Sequence, residues 1–145
     1  THALYAIPAA ELAAGLRQFI ASIAPGGIGV IAHSAEAGHY VGFHRRFLEA
    51  FGADDAAPYI SAETIVETLR QLGAAVDVEA IEYETTAHAD HGGAVEGFLQ
   101  RCVFNDGVSL AEMRAREPLA TYLDGCHQTR GWVFPQCVWL ITVTR

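Results

Sequence analysis

The stretch that most constrains this chain is its end. From Val138 to Thr144 apolar or β-branched residues occupy both alternating faces, with Val138 and Leu140 on one side and Trp139 and Ile141 on the other. A strand with two apolar faces belongs in the middle of a sheet that is covered on both sides. A second strand, Val76 to Thr85, alternates instead, with Val76, Val78 and Ala80 set against Asp77 and Glu79. Such half-exposed strands are of the antiparallel kind, so the reading pairs it with Val138 to Thr144 at one edge of a sheet. Ile28 to Ala32 reads as a short buried strand.

Helical periods fill the intervals. Ala9 to Ile23 repeats Leu12, Leu16, Phe19, Ile20 and Ile23, and Pro25-Gly26-Gly27 stops it. Gly38 to Phe51 carries aromatics at Tyr40, Phe43, Phe47 and Phe51 and ends at Gly52. Ser61 is a suitable N-cap for a helix from Ala62 to Leu72 with a buried stripe of Ile65, Leu69 and Leu72. Val95 to Phe104 is the next helix. Ser109 with Glu112 is a capping box for a helix to about Arg116, interrupted at Pro118 and resuming to Leu123. The alternation of strands and helices predicts an α/β domain with a parallel sheet. Thr1 to Ile7 reads as a strand end entering a loop at Pro8.

At 145 residues the chain is one domain, able to bury roughly 70% of its unfolded surface without disulfides or metal. Nine Lys+Arg against 17 Asp+Glu give a net charge of -8, and every basic residue is Arg. That balance argues against nucleic acid and against an anionic membrane surface as partners. No apolar run approaches the roughly 18 residues of a membrane span, and nothing basic precedes an apolar N-terminal core. The three cysteines, Cys102, Cys126 and Cys137, are widely spaced; they fit free thiols in a reducing cytoplasm.

An open α/β sheet ending in an antiparallel pair resembles the C-terminal half of the class I S-adenosylmethionine-dependent methyltransferases. Three segments carry the likeness in order: His2-Ala3-Leu4-Tyr5-Ala6-Ile7-Pro8, similar to their fourth strand and the loop after it; Ile23-Ala24-Pro25-Gly26-Gly27-Ile28-Gly29-Val30-Ile31, similar to the turn into their fifth strand; and Tyr59-Ile60-Ser61-Ala62-Glu63-Thr64-Ile65 with Leu69-Arg70-Gln71-Leu72-Gly73, similar to their next helix. Within the superfamily the chain resembles the histamine N-methyltransferase-like group, through Asp54-Asp55-Ala56-Ala57-Pro58-Tyr59-Ile60-Ser61, through Phe98-Leu99 followed by Cys102-Val103-Phe104-Asn105, and through Phe134-Pro135-Gln136 before the last strand.

The resemblance implies a partial Rossmann-like sheet, S-adenosylmethionine as cofactor, and a small-molecule methyl acceptor such as an amine. It implies His2 as the catalytic group, Thr1 and His2 as cofactor contacts, and Tyr5, Tyr40, His44 and Gln136 around the acceptor. The family grips its cofactor with a glycine-rich turn that opens a helix and a carboxylate beyond it. Gly26-Gly27-Ile28-Gly29 precedes a strand and cannot serve. The expectation is therefore one domain, residues 1–145, forming the acceptor-side half of a longer enzyme and inactive alone, partnered by the missing N-terminal half. The alternative is a non-catalytic module that self-associates through the exposed edge of Ala3 to Ile7. His88, Asp90 and His91 form H-x-D-H in a polar loop without the three or four convergent ligands a metal needs, and no metal is expected. His33, Ser34 and Glu36 are triad-like in composition only, since the G-x-S-x-G elbow is missing.

Overall fold

The computed structural model describes residues 4–52, 59–88, 92–129 and 131–145. Helix α1 (Ala9–Ser22) leads to strand β1 (Ile28–Ser34), then α2 (His39–Phe51), α3 (Ala62–Gln71), β2 (Ala75–His88), α4 (Gly92–Val103), α5 (Leu110–Arg114), α6 (Leu119–Cys126), β3 (His127–Gln128) and β4 (Gly131–Thr144). The sheet order is β1-β4-β2, with the short β3 also on β4. β4 is central, as its two apolar faces require, and β2 is an edge strand paired antiparallel to it from Ala75↔Thr144 to His88↔Gly131.

Two expectations are corrected. Every pairing among the described residues is antiparallel, where alternating helices and strands suggested a parallel sheet. The reason is that β4 inserts between β1 and β2, so those two strands run in one direction without touching. The opening segment differs as well. Leu4–Ala6 is a 3₁₀ turn rather than a strand end. The Ile7 amide closes onto the Leu4 carbonyl at 3.4 Å, and the turn lays Leu4 and Ile7 against the core. This part of the segment presents no strand edge for self-association.

Because side chains alternate along a strand, the 14-residue β4 serves two cores on opposite faces. Ile141, Val143 and Cys137 meet Leu12, Leu16, Ile65 and Leu69 of α1 and α3. Trp132 and Phe134 point the other way, into Phe43, Leu99, Met113, Leu119 and Leu123 of α2, α4, α5 and α6. Each of these large side chains contributes roughly 1.5–3 kcal/mol when fully buried. β4 thus ties the two packed layers together, and α2 and α4 are fixed over the N-terminal end of β4.

Local chemistry sets the helix ends. The Ser61 hydroxyl accepts from the Thr64 amide at 3.3 Å. The Ser109 and Glu112 capping box closes in both directions, at 3.2 and 2.8 Å. The Arg145 guanidinium donates to the Ala21 and Ile23 carbonyls at 2.8 and 2.7 Å, satisfying acceptors that the end of α1 leaves open. Pro118 separates α5 from α6. Gly38 opens α2 against the backbone of β4: a Cβ there would lie 2.8 and 2.9 Å from the Cys137 oxygen and nitrogen. Only glycine allows that approach, and it fixes the first turn of α2, which carries Tyr40.

Among the described residues no helix is long and apolar enough to cross a membrane. All three cysteines are free and buried.

Candidate functional site

The cavity of about 310 Å³ beside the carboxyl end of β1 is lined by Tyr5, Tyr40, Tyr59, Tyr83, Arg101, Cys102 and Phe104. These come from the 3₁₀ turn, the first turn of α2, the segment before α3, the outer edge of β2, and the end of α4 with the residue that follows it.

The tyrosines divide into two pairs. Tyr5 donates to Ser34 Oγ at 2.8 Å, and Tyr59 donates to the Cys102 carbonyl at 2.8 Å. Their hydroxyls tie walls to frame. Tyr5 also lies against the His33 ring at 4.2 Å and the Tyr59 ring at 5.4 Å between centroids. The Tyr40 and Tyr83 hydroxyls make no hydrogen bond among the described residues and are available to a ligand. Burial raises the pKa of Tyr5, Tyr40 and Tyr59, so these phenols stay neutral near pH 7 and act as donors. Burial also pushes the Cys102 thiol up to about 12, against a smaller opposing pull from Arg101.

Behind the wall runs a neutral chain. His39 Nδ1 and the Tyr122 hydroxyl are 2.7 Å apart, and His39 Nε2 lies 3.8 Å from Cys102 Sγ. Burial, with some help from Arg46, lowers the His39 pKa to about 3. A thiol that stays protonated beside an imidazole that stays neutral is not a thiolate–imidazolium nucleophile. Phe43, Phe98 and Phe134 surround the ring within 5.3 Å, and the chain positions Cys102 rather than activating it.

Phe104 is 80% exposed and sits at φ 50°. It follows α4 in a Schellman turn, with the Asn105 amide on the Gln100 carbonyl at 3.1 Å and the Phe104 amide on the Arg101 carbonyl at 3.5 Å. That position usually holds glycine. An exposed aromatic held in a left-handed conformation at the rim of a cavity, edge-on to Tyr59 at 6.1 Å, is costly for folding and leaves an apolar ring open to the cavity mouth.

Of the residues anticipated from the sequence, Tyr5 and Tyr40 line this cavity. His44 does not. It is buried, stacks on the pocket's Tyr59 at 3.6 Å with 5° between planes, and its Nδ1 has no hydrogen-bond partner among the described residues; burial lowers its pKa to about 4. Gln136 is the register partner of Tyr83. Its Nε2 donates to Thr85 Oγ1 at 3.3 Å, while its buried Oε1 has no hydrogen-bond partner among the described residues. It lies next to the cavity rather than in its lining. Thr1 and His2 are outside the described residues, as are Asp90, His91 and the His88 side chain. Among the described residues no group of three His, Cys, Asp or Glu could hold a metal ion. His33, Ser34 and Glu36 form no hydrolytic triad: His33 Nε2 bonds the Ile60 carbonyl at 2.8 Å, and Glu36 turns to Arg45 at 3.1 Å.

Sequence reasoning did not single out Tyr59, Tyr83, Arg101 or Phe104 as site residues. Two faint signals were present. Tyr83 is an aromatic among the acidic residues of an otherwise half-exposed strand, and Arg101 is a lone cation at the end of an apolar helix.

No protein-family model matches the chain, and no curated protein is similar to it. A solved structure from Bacillus halodurans C-125, described as a "putative methyltransferase", is similar over 98% of this chain and 60% of its own, at 14% identity and a TM-score of 0.50. At that identity the likeness is one of fold. The chain has a methyltransferase-like α/β fold, and it spans less than two thirds of the length of the structure it matches.

Proposed function

We propose that this chain forms the acceptor-binding part of an S-adenosylmethionine-dependent methyltransferase that acts on a small molecule. One observation carries the reading: a tyrosine-walled cavity stands at the carboxyl end of β1 in a fold similar to that of a structure described as a methyltransferase.

Methyl transfer asks little of the protein beyond geometry. The acceptor atom must be held in near-attack position with water kept out. Aromatic walls and neutral hydroxyl donors suit that task. The described lining contains no group that works as a general base near neutrality. The proton released by the acceptor is assigned to His2, and contact with the donor to Thr1 and His2, which lie a few residues before Tyr5 in the chain.

The described residues do not fit the methyl donor itself. Gly26 and Gly27 lead into β1 rather than opening a helix. Gly38 does open a helix, but the backbone of Cys137 already lies where even a Cβ on Gly38 would be. The reading therefore gives the donor to other polypeptide. That polypeptide would sit over β1, where Ile28 and Val30 are 66% and 54% exposed, apolar side chains of the kind that a second layer covers.

A calorimetric titration of the purified 145-residue chain with S-adenosylmethionine tests this division. Binding weaker than about millimolar, a free energy of roughly -4 kcal/mol, is expected. Micromolar affinity would overturn it.

A further inference from the structure

We infer that the acceptor in the tyrosine cavity is a small planar molecule bearing an anionic end, an aromatic carboxylate in chemical class, with Arg101 as its specificity-determining partner. The inference deepens the acceptor-site reading and rests on it.

Charge decides the class. The cavity lining holds one charged side chain among the described residues, Arg101, and no carboxylate. Arg101 has no ion-pair partner among the described residues; the two ion pairs found there join Arg45 to Glu36 and Arg114 to Asp124. Other arginines near this layer are occupied, Arg46 over the Tyr122 ring at 4.7 Å and Arg116 over Phe51 at 4.6 Å. Ring faces can hold a cation, yet here a cation would share the cavity with a guanidinium and meet no opposite charge. An anion meets the guanidinium and two uncommitted hydroxyls, those of Tyr40 and Tyr83. A guanidinium presents parallel donors that match a carboxylate.

Shape decides the rest. Five of the seven lining residues are aromatic, which favours a flat ligand stacked between rings. Phe104, exposed and held at φ 50° beside Arg101, supplies a lid for its outer face. The net charge of -8 would attract cations at long range, but specificity is set by contacts within the cavity.

The test is a set of titrations of the 145-residue chain at pH 7 with benzoate, benzylamine and benzyl alcohol, followed by calorimetry or ligand-observed NMR. Benzoate is expected to bind tightest. Arg101→Gln, at an exposed position that no described contact needs for folding, should weaken benzoate at least tenfold and leave benzyl alcohol unchanged. Tyr83→Leu should weaken benzoate and benzyl alcohol together, which ties binding to this cavity. Benzylamine binding as tightly as benzoate, a loss of less than tenfold in Arg101→Gln, benzoate unaffected by Tyr83→Leu, or no benzoate binding at all would each overturn the inference. Methyl transfer does not enter these titrations. Benzoate held through Arg101 in a protein that transfers no methyl group would sink the enzymatic reading alone; transfer to a cationic acceptor would sink this inference alone.

Discussion

Replacing Phe104 by glycine should make the protein more stable and its site worse. A non-glycine residue in the left-handed region costs about 1–2 kcal/mol, and Phe104 sits there at φ 50°. Glycine removes that cost but gives the unfolded chain extra freedom, returning about 0.5–1 kcal/mol. The ring is 80% exposed, so little apolar burial is lost with it. The expected net gain is about 0.5–1 kcal/mol, which for a domain of this size raises Tm by about 1–4 °C. Urea denaturation of wild type, Phe104→Gly and Phe104→Ala separates backbone from ring, because alanine keeps the strained φ and loses the aromatic. Phe104→Ala should stay near wild-type stability, and both variants should bind benzoate more weakly. Destabilisation of Phe104→Gly by more than about 0.5 kcal/mol would refute the reasoning, since the ring would then be part of the core.

Two further outcomes follow from burial. The His39 pKa is lowered to about 3, so the unfolded chain takes up the proton first as pH falls. Stability is unaffected by His39 above about pH 6.5 and declines below it, by about 1.4 kcal/mol per pH unit down to about pH 3; His44 acts in the same direction. Urea midpoints across pH 4 to 8 measure the slope, and NMR should show a His39 ring that does not titrate between about pH 5 and 8. A His39 titration near its ordinary value would contradict its place between Phe43, Phe98 and Phe134. Ile141→Ala empties a fully buried position in the first core and should cost about 2–5 kcal/mol; a loss under about 1 kcal/mol in urea denaturation would mean that core is loosely packed.

Much of the frame was legible because its signals are local. Ser61 and the Ser109–Glu112 box announced their helices by side-chain chemistry alone, and the alternation of Val76 to Thr85 against the two-faced Val138 to Thr144 announced a sheet pair. The first half of β4 was not legible. Gly131 and Pro135 argue against a strand, yet Pro135 is exposed opposite Glu84 on the edge strand and is tolerated. The 3₁₀ turn at Leu4–Ala6 was hidden because its apolar residues also suit a strand; what selects the turn is the packing of Leu4 and Ile7 and the Tyr5 bond to Ser34. The cavity was legible in part. Tyr5 and Tyr40 were anticipated, but Tyr59, Tyr83, Arg101 and Phe104 come from separate elements, and no spacing along the chain brings them together. His44 was placed around the acceptor by the family resemblance, and in the structure its ring stacks on Tyr59.

The most direct measurement is product analysis on the gene product that contains these residues, supplied with methyl-labelled S-adenosylmethionine and a panel of small aromatic acids, phenols and amines. Label is expected in the aromatic acids and is expected to be lost in Tyr40→Leu and Arg101→Gln. Label that never leaves the donor, or transfer that proceeds undiminished in Tyr40→Leu, would contradict that expectation.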